Sequence, residues 1–377
     1  MNYRLLATCS FGLEAVIKQE CEALGFSDIA AFDARIYFSG SDADIARANL
    51  WLRCADRVYI VLDEFDATDF ETLYQGVKKI KWADYIGVDD AFPVTGDAVR
   101  SALFSVSDVQ KIAKKAIVDS LTTKYKRELF AETEATVPVH IAILKDRVSV
   151  LINTSGAGLN RRGYRRLNAE APLRETLAAG LLNIARYSGG PFYDPMCGSG
   201  TIAIEAAMIA KNIAPGLQRR FAFEAFQFLT STDFATMRNE AKAGIIKGEV
   251  PIFASDVDEG VLELTKTHAK TAGVYDHIKI YKADIKKALA GEPQGILVTN
   301  PPYAVRMGEK KEVEKLYHKM GECILSNPYL KAFIISADMG FEKYFGKVAD
   351  KKRKLYNGSI KCNYYQYFRG KKRKDGE

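Results

Sequence analysis

The sequence predicts an α/β chain whose C-terminal half is a doubly wound, Rossmann-like sheet preceded by smaller α+β modules. Three observations carry that prediction. From residue 191 onward, short apolar stretches that end in an acidic or amide residue alternate with amphipathic stretches of helical length, as parallel strands and crossover helices do. The first of these strands runs into a glycine turn that opens a helix. The first 154 residues alternate strand and helix patterns over shorter spans, without a comparable turn.

At 377 residues, 47% hydrophobic and 27% charged, the chain is long enough for two or three domains and has the make-up of an ordinary folded protein. Its cysteines, Cys9, Cys21, Cys54, Cys197, Cys323 and Cys362, form no C-x-x-C pair, and His140, His268, His277 and His318 lack ligand spacing. A disulfide framework and a metal site are therefore not expected. No basic start precedes a long apolar run and no stretch reaches membrane-spanning length, so a cytoplasmic location is expected. The net charge of +7 is unevenly spread, with −5 on residues 1–160 and +12 on residues 161–377. A polyanionic partner and a solvated basic surface both fit that asymmetry.

Residues 1–65 read as strand, helix, strand, helix, strand, at 3–8, 13–24, 35–38, 45–52 and 57–65. That order predicts a small ferredoxin-like module. Residues 66–154 form a second module, with helices at 68–80 and 106–121 and strands at 92–99, 137–144 and 147–153. The long helix places Val109, Ile112, Ala113, Ala116 and Ile117 on one face. Lys111, Lys114 and Lys115 lie on its other faces, with Lys126 and Arg127 just beyond, and are this module's candidate nucleic-acid contacts; a solvated helix face is the alternative.

Ser155 to Asn160 is a loop, and Arg161, Arg162, Gly163, Tyr164, Arg165 and Arg166 follow as a basic linker. Guanidiniums read phosphate bidentately and stack on bases, so this run points to nucleic acid, although salt bridges to the acidic N-terminal half would use the same residues. A helix over 171–187 leads to Asp194-Pro195-Met196-Cys197-Gly198-Ser199-Gly200-Thr201, a strand end, a glycine turn and the start of a helix over 202–211. Gly198, Gly200 and Ala203 match the relaxed dinucleotide fingerprint, a weak signal by itself. Strands at 251–256 and 278–284 end in Asp256 and Asp284, and the apolar run 295–299 ends in Asn300-Pro301-Pro302-Tyr303. In a doubly wound sheet these endings line one edge, where Asp256 accepts from ribose hydroxyls and Asp284 from an adenine amine; a helix N-cap is the alternative for either. The prolines remove amide donors, Asn300 adds an acceptor and Tyr303 a flat ring, which suits an aromatic amine, while a plain proline turn is the alternative.

Residues 212–250, with a helix over 233–246, separate the first two strands as an insertion. A helix over 313–325 and strands at 331–336 and 364–368 complete the domain. The basic runs at 351–354 and 371–374 follow the last helix, the second as a solubilising tail.

With these residues in view, the chain resembles the THUMP-domain RNA methyltransferases, and most closely the bacterial large-subunit rRNA guanine-N2 methyltransferases, over essentially its whole length. Residues 194–201 look like that family's S-adenosylmethionine loop and Asn300 to Tyr303 like its amino-methyltransferase tetrapeptide. The segments Arg161 to Arg166 and Glu170-Ala171-Pro172-Leu173 resemble those that lead into its catalytic domain. The resemblance implies a ferredoxin-like domain over 1–65, a THUMP RNA-binding domain over 66–154, a basic linker over 155–170 and a seven-stranded class I methyltransferase domain over 171–377.

It also implies S-adenosylmethionine as cofactor, held by Asp194, Pro195, Cys197, Gly198, Gly200, Thr201, Asp256 and Asp284. RNA is the implied partner, and Asn300, Pro301, Pro302 and Tyr303 would present a guanine amine to the methyl group. Some relatives carry a second methyltransferase domain, so a single modification is expected of this chain. A tRNA substrate, an adenine-N6 reaction, a nicotinamide-dependent oxidoreductase and a silent RNA-binding module are the rival readings.

Overall fold

Apolar strands and amphipathic helices assemble, in the computed structural model, into two seven-stranded sheets, each at the centre of one of two units. The structure describes residues 2–165, 173–229, 233–303 and 310–368. Arg166, the start of the helix expected at 171 and the tail at 371–374 lie outside the described residues.

Unit 1 gathers Met1–Cys9, Ile17–Leu159 and Arg220–Asn239. Its elements are β1 (Asn2–Thr8), α1 (Glu14–Ala23), β2 (Ser27–Phe32), β3 (Arg35–Ser41), α2 (Asp42–Trp51), β4 (Arg57–Asp66), α3 (Phe70–Lys78), β5 (Val94–Val99), α4 (Val106–Tyr125), β6 (Val139–Leu144) and β7 (Arg147–Asn153). The first 65 residues thus hold one strand more than expected: β2 is almost wholly exposed and has no buried face to set a period-2 pattern. The two expected modules share one continuous sheet, ordered β2-β3-β1-β4-β7-β6-β5, because β4 pairs with β7 from Tyr59–Asn153 to Asp66–Arg147. In α4 the buried residues are Val109, Ala113, Ala116, Ile117 and Leu121, one stripe of a 3.6-residue period.

Unit 2 gathers Ser10–Val16, Asn160–Arg219 and Glu240–Glu377. It contains α5 (Glu175–Ile184), β8 (Phe192–Asp194) and α6 (Thr201–Ala210), and then, after α7 (Phe234–Ala243), β9 (Ile252–Asp256), α8 (Glu259–Ala272), β10 (Ile278–Lys282), α9 (Ile285–Ala288) and β11 (Gly295–Thr299). The chain continues through α10 (Lys310–Leu325), β12 (Leu330–Ser336), α11 (Phe341–Phe345), β13 (Lys351–Asn357) and β14 (Ile360–Tyr367). The sheet order is β10-β9-β8-β11-β12-β14-β13, with β14 antiparallel to both neighbours and the first five strands parallel. The basic run at 351–354 is therefore the start of edge strand β13, a place where lysine is common because it discourages pairing with another chain. On one side of the sheet, Tyr317, Met320 and Ile324 of α10 pack with Phe341, Phe345, Tyr365 and Tyr367.

The segment read as an insertion is shared out. Residues 220–239 belong to unit 1, where Phe221, Phe223 and Phe234 form a ring cluster and the Phe223 amide donates to the Thr154 carbonyl (3.0 Å).

Candidate active site

Strand order reverses beside β8: β9 and β10 extend the sheet in one direction, whereas β11 lies on the other side of β8. Crossovers on either side of such a point diverge and leave a crevice at the carboxyl ends of the strands. A pocket of about 390 Å³ lies there, lined by Pro195, Met196, Gly198, Asp256, Val257, Asp258, Val261, Asp284, Ile285, Asn300, Pro302, Leu316 and Lys319. Pocket volumes of a few hundred Å³ are of small-ligand size.

Asp256, at the end of β9, ties the loops together. Its Oδ2 accepts from the Gly198 amide (2.9 Å) and its Oδ1 from the Asp258 amide (3.1 Å). A carboxylate has room for about four donors, so hydroxyls of a ligand can share these oxygens. Asp284 caps α9 through the Lys287 amide (2.9 Å) and also accepts from Lys319 Nζ (2.7 Å), which holds its carboxyl below the usual range. Asp284 is thus a helix cap that also lines the pocket. For Asp256 the helix-cap reading fails, since the N-cap of α8 is Asp258.

The glycine turn divides its labour. Gly198 has φ +51° and no atom within 4 Å of where a β-carbon would stand, so a ligand can reach the main chain there. Gly200, at φ +84°, is a packing glycine: a β-carbon would lie 2.5 Å from Thr265 Cγ2. Beneath the turn, Asp194 is 1% exposed; its Oδ1 accepts from Thr299 Oγ1 (2.8 Å), and its Oδ2 is buried with no hydrogen-bond partner among the described residues. Burial pushes this carboxyl up to about 7, against the pull of Thr299 and the Met196 amide.

Of the residues expected to hold a cofactor, Pro195, Gly198, Asp256 and Asp284 line the pocket. Asp194, Cys197, Gly200 and Thr201 do not. Cys197 is buried, its thiol pushed well up by burial, and Thr201 is the first helical residue of α6, its hydroxyl taken by Arg165 Nη2. Asn300 and Pro302 line the pocket, Pro301 is buried, and Tyr303 is half-buried, its hydroxyl pushed up by that burial. The Pro302 carbonyl accepts from Tyr317 Oη (3.1 Å), a clamp on the tetrapeptide supplied by α10. Tyr317, Leu316 and Lys319 went unseen in the sequence; the only available signal was that they share one turn of a helix following the tetrapeptide.

The basic linker is a correction. Arg162 and Tyr164 are buried on Glu205 (3.4 and 3.2 Å), and Arg165 pairs with Glu175 (3.2 Å), so these side chains point into unit 2 and do not present charge to phosphate. Arg161 remains exposed. Lys114 is drawn between the Phe92 ring (3.5 Å) and Glu132 (2.6 Å), whereas Lys111, Lys115, Lys126 and Arg127 are exposed, with Lys111 3.8 Å from Asp108 and Arg127 3.6 Å from Asp89. No helix among the described residues is long and apolar enough to cross a membrane, and no group of three or more His, Cys, Asp or Glu there is placed to hold a metal.

The open main chain at Gly198 and the two strand-end carboxylates suit a ligand with hydroxyls and an aromatic amine. The fold is that of a methyltransferase, and S-adenosylmethionine is its cofactor. The chain belongs to the family described as RMKL-like, methyltransferase domain, which matches residues 162–366, with an RlmL ferredoxin-like domain over 4–59 and a THUMP domain over 67–153.

It is 40% identical over 372 residues to the "Putative RNA methyltransferase YpsC" of Bacillus subtilis, covering 97% of this chain and 96% of that protein. It is 34% identical to the Ribosomal RNA large subunit methyltransferase K/L of Cellvibrio japonicus, covering 96% of this chain and half of that protein. The crystal structure of SMU.472, "a putative methyltransferase complexed with SAH", superposes with a TM-score of 0.92 at 38% identity, covering 98% of this chain and 99% of that one.

Proposed function

We propose that the protein transfers a methyl group from S-adenosylmethionine to the exocyclic N2 of a guanine in RNA, with large-subunit rRNA as the substrate. The observation that carries this reading is the placement of Asn300 and Pro302 on the same pocket as Gly198, Asp256 and Asp284. An amine acceptor and a nucleoside cradle thus share one crevice. The THUMP domain and the likeness to an rRNA large-subunit methyltransferase support RNA as the polymer.

An exocyclic guanine amine is a poor nucleophile because its lone pair is delocalised into the ring. The Asn300 side-chain oxygen and the Pro301 carbonyl accept its two hydrogens and so favour a geometry with the lone pair directed out of the ring plane. Tyr303 offers a stacking face to a base taken out of its helix. The Tyr317 hydrogen bond to the Pro302 carbonyl fixes these groups, and alignment supplies much of the rate. S-adenosylmethionine, when bound, contributes an electrophilic methyl on a sulfonium; Asp256, Asp284 and the Asp194 loop would hold its ribose, adenine and methionine ends. The amine proton is lost after transfer, so no general base is assigned.

Asn300→Ala is expected to lower methyl transfer to undermodified rRNA by about 100-fold or more, consistent with loss of a positioning interaction. Cofactor affinity measured by calorimetry should stay unchanged. Full activity in the variant would sink the assignment. Mass spectrometry of the product nucleosides separates N2-methylguanine from N6-methyladenine, and rRNA from tRNA as the carrier.

A further inference from the structure

The last strand pairing outlines a feature that the site has not used. β12 ends at Ser336, which pairs with Asn363, so Ile360 to Cys362 and their partners Leu355 to Asn357 continue as a two-stranded ribbon past the carboxyl edge of the sheet. That is the edge on which Asn300 and Tyr303 lie. Tyr303 lies beside the ribbon: burial pushes its hydroxyl up, and Cys362 and Asn357 are the groups that act on it.

The ribbon's other face is basic and aromatic. Lys354 and Tyr356 are two residues apart on β13, and Lys361 is the cross-strand partner of Tyr356, so all three share a face. Lys354 Nζ lies 5.3 Å from the centre of the Tyr356 ring. Phe11, 53% exposed, meets Tyr356 edge-on with ring centres 6.1 Å apart. Phe11, Gly12, Lys354 and Tyr356 surround a hollow of about 280 Å³.

This pairing is built into the backbone. Gly12 has φ +92° and approaches β13 so closely that a β-carbon there would lie 2.6 Å from the Lys354 carbonyl oxygen. At the ribbon's turn, the exposed Arg174 brings a guanidinium nitrogen 3.9 Å from the β-carbon position of Gly358.

We propose that this ribbon is a docking arm for the single-stranded RNA flanking the target base, with Tyr356 and Phe11 as its stacking surface and Lys354, Lys361 and Arg174 as its phosphate contacts. The inference rests on the reading of RNA as substrate. Every base has a face that stacks on an aromatic ring, and a row of cations follows the backbone, so the arm grips the strand without reading its sequence.

The test is fluorescence anisotropy of a labelled single-stranded oligouridine titrated with the full chain at several salt concentrations. Tyr356→Ala is expected to weaken binding roughly 10-fold, the effect of losing one stacked base. Lys354→Gln and Lys361→Gln should each reduce the slope of log Kd against log salt by about 0.7, as loss of one phosphate contact on a single strand does. Lys279→Gln, on the opposite edge strand, should bind as the unaltered chain does, and unchanged S-adenosylmethionine affinity in calorimetry shows that the variants are folded.

Equal affinity and equal slope in Tyr356→Ala and Lys354→Gln would overturn the proposal and leave the lysines as protection of an edge strand. So would a failure of the unaltered chain to bind the oligouridine. Methyl transfer to rRNA is assayed separately, so the guanine reading can fail while the arm stands, and the reverse.

Discussion

Asp194 shows how one residue can be placed by its sequence and still surprise in its chemistry. Its position at the end of a strand before a glycine turn was legible, because that arrangement puts a strand end at the switch point of a sheet. Its burial was not, since no local pattern tells that Thr299, more than a hundred residues later, closes over it.

The consequence is a pH dependence with a definite sign. The carboxyl titrates at about 7 in the folded chain and at about 3.9 when unfolded. Between those values the folded chain holds a proton that the unfolded chain has released, so stability falls as pH rises from about 4 to about 7 and is level beyond. Asp194→Asn removes a penalty on the order of 4 kcal/mol at pH 8, from a shift of about three pKa units. Its unfolding temperature, measured against that of the unaltered chain, should therefore climb between pH 5 and pH 8, while its cofactor affinity drops. A stability difference that ignores pH would contradict the assignment.

At the scale of elements, the run 161–166 teaches that composition marks charge and not direction. Four arginines around a tyrosine read as a phosphate site, yet two of them are spent on buried acids of α5 and α6. What could not be seen is that Glu175 and Glu205, each on the apolar face of its helix, require a cation. Arg162→Ala leaves Glu205 with its charge buried and uncompensated, a cost of about 3–5 kcal/mol. The urea midpoint should fall accordingly, with the salt dependence of RNA binding unaltered; a fall in that slope would restore Arg162 to the RNA surface. The strands missed in the sequence, β2 and β13, are the two whose side chains are mostly exposed or basic, so the hydrophobic pattern that exposes a strand was absent. The helix α4, with a full apolar stripe, was found within a few residues.

For the whole molecule, the doubly wound order was readable because four strand ends with polar termini fall in sequence, whereas the continuity of the unit 1 sheet across two expected modules was not, since strand pairing between distant segments has no local signature. The +12 on residues 161–377 predicts that the two ligands respond differently to salt. Raising salt from 50 to 200 mM should cut RNA affinity by roughly 10³-fold if six or so phosphates are contacted, and change cofactor affinity little, because that pocket carries carboxylates and apolar walls. Parallel titrations of both ligands check this, and equal sensitivity would rule it out.

The assignment of residues 220–239 to unit 1 bears on the order of synthesis. Most of that unit leaves the ribosome by residue 159, but its phenylalanine cluster arrives only after β8 and α6 have been made. Domains ordinarily complete their folding from the N-terminus as they emerge. Here the N-terminal unit takes a segment encoded inside its successor and gives up residues 10–16 to it, so neither half of the gene, translated alone, carries every segment of its unit.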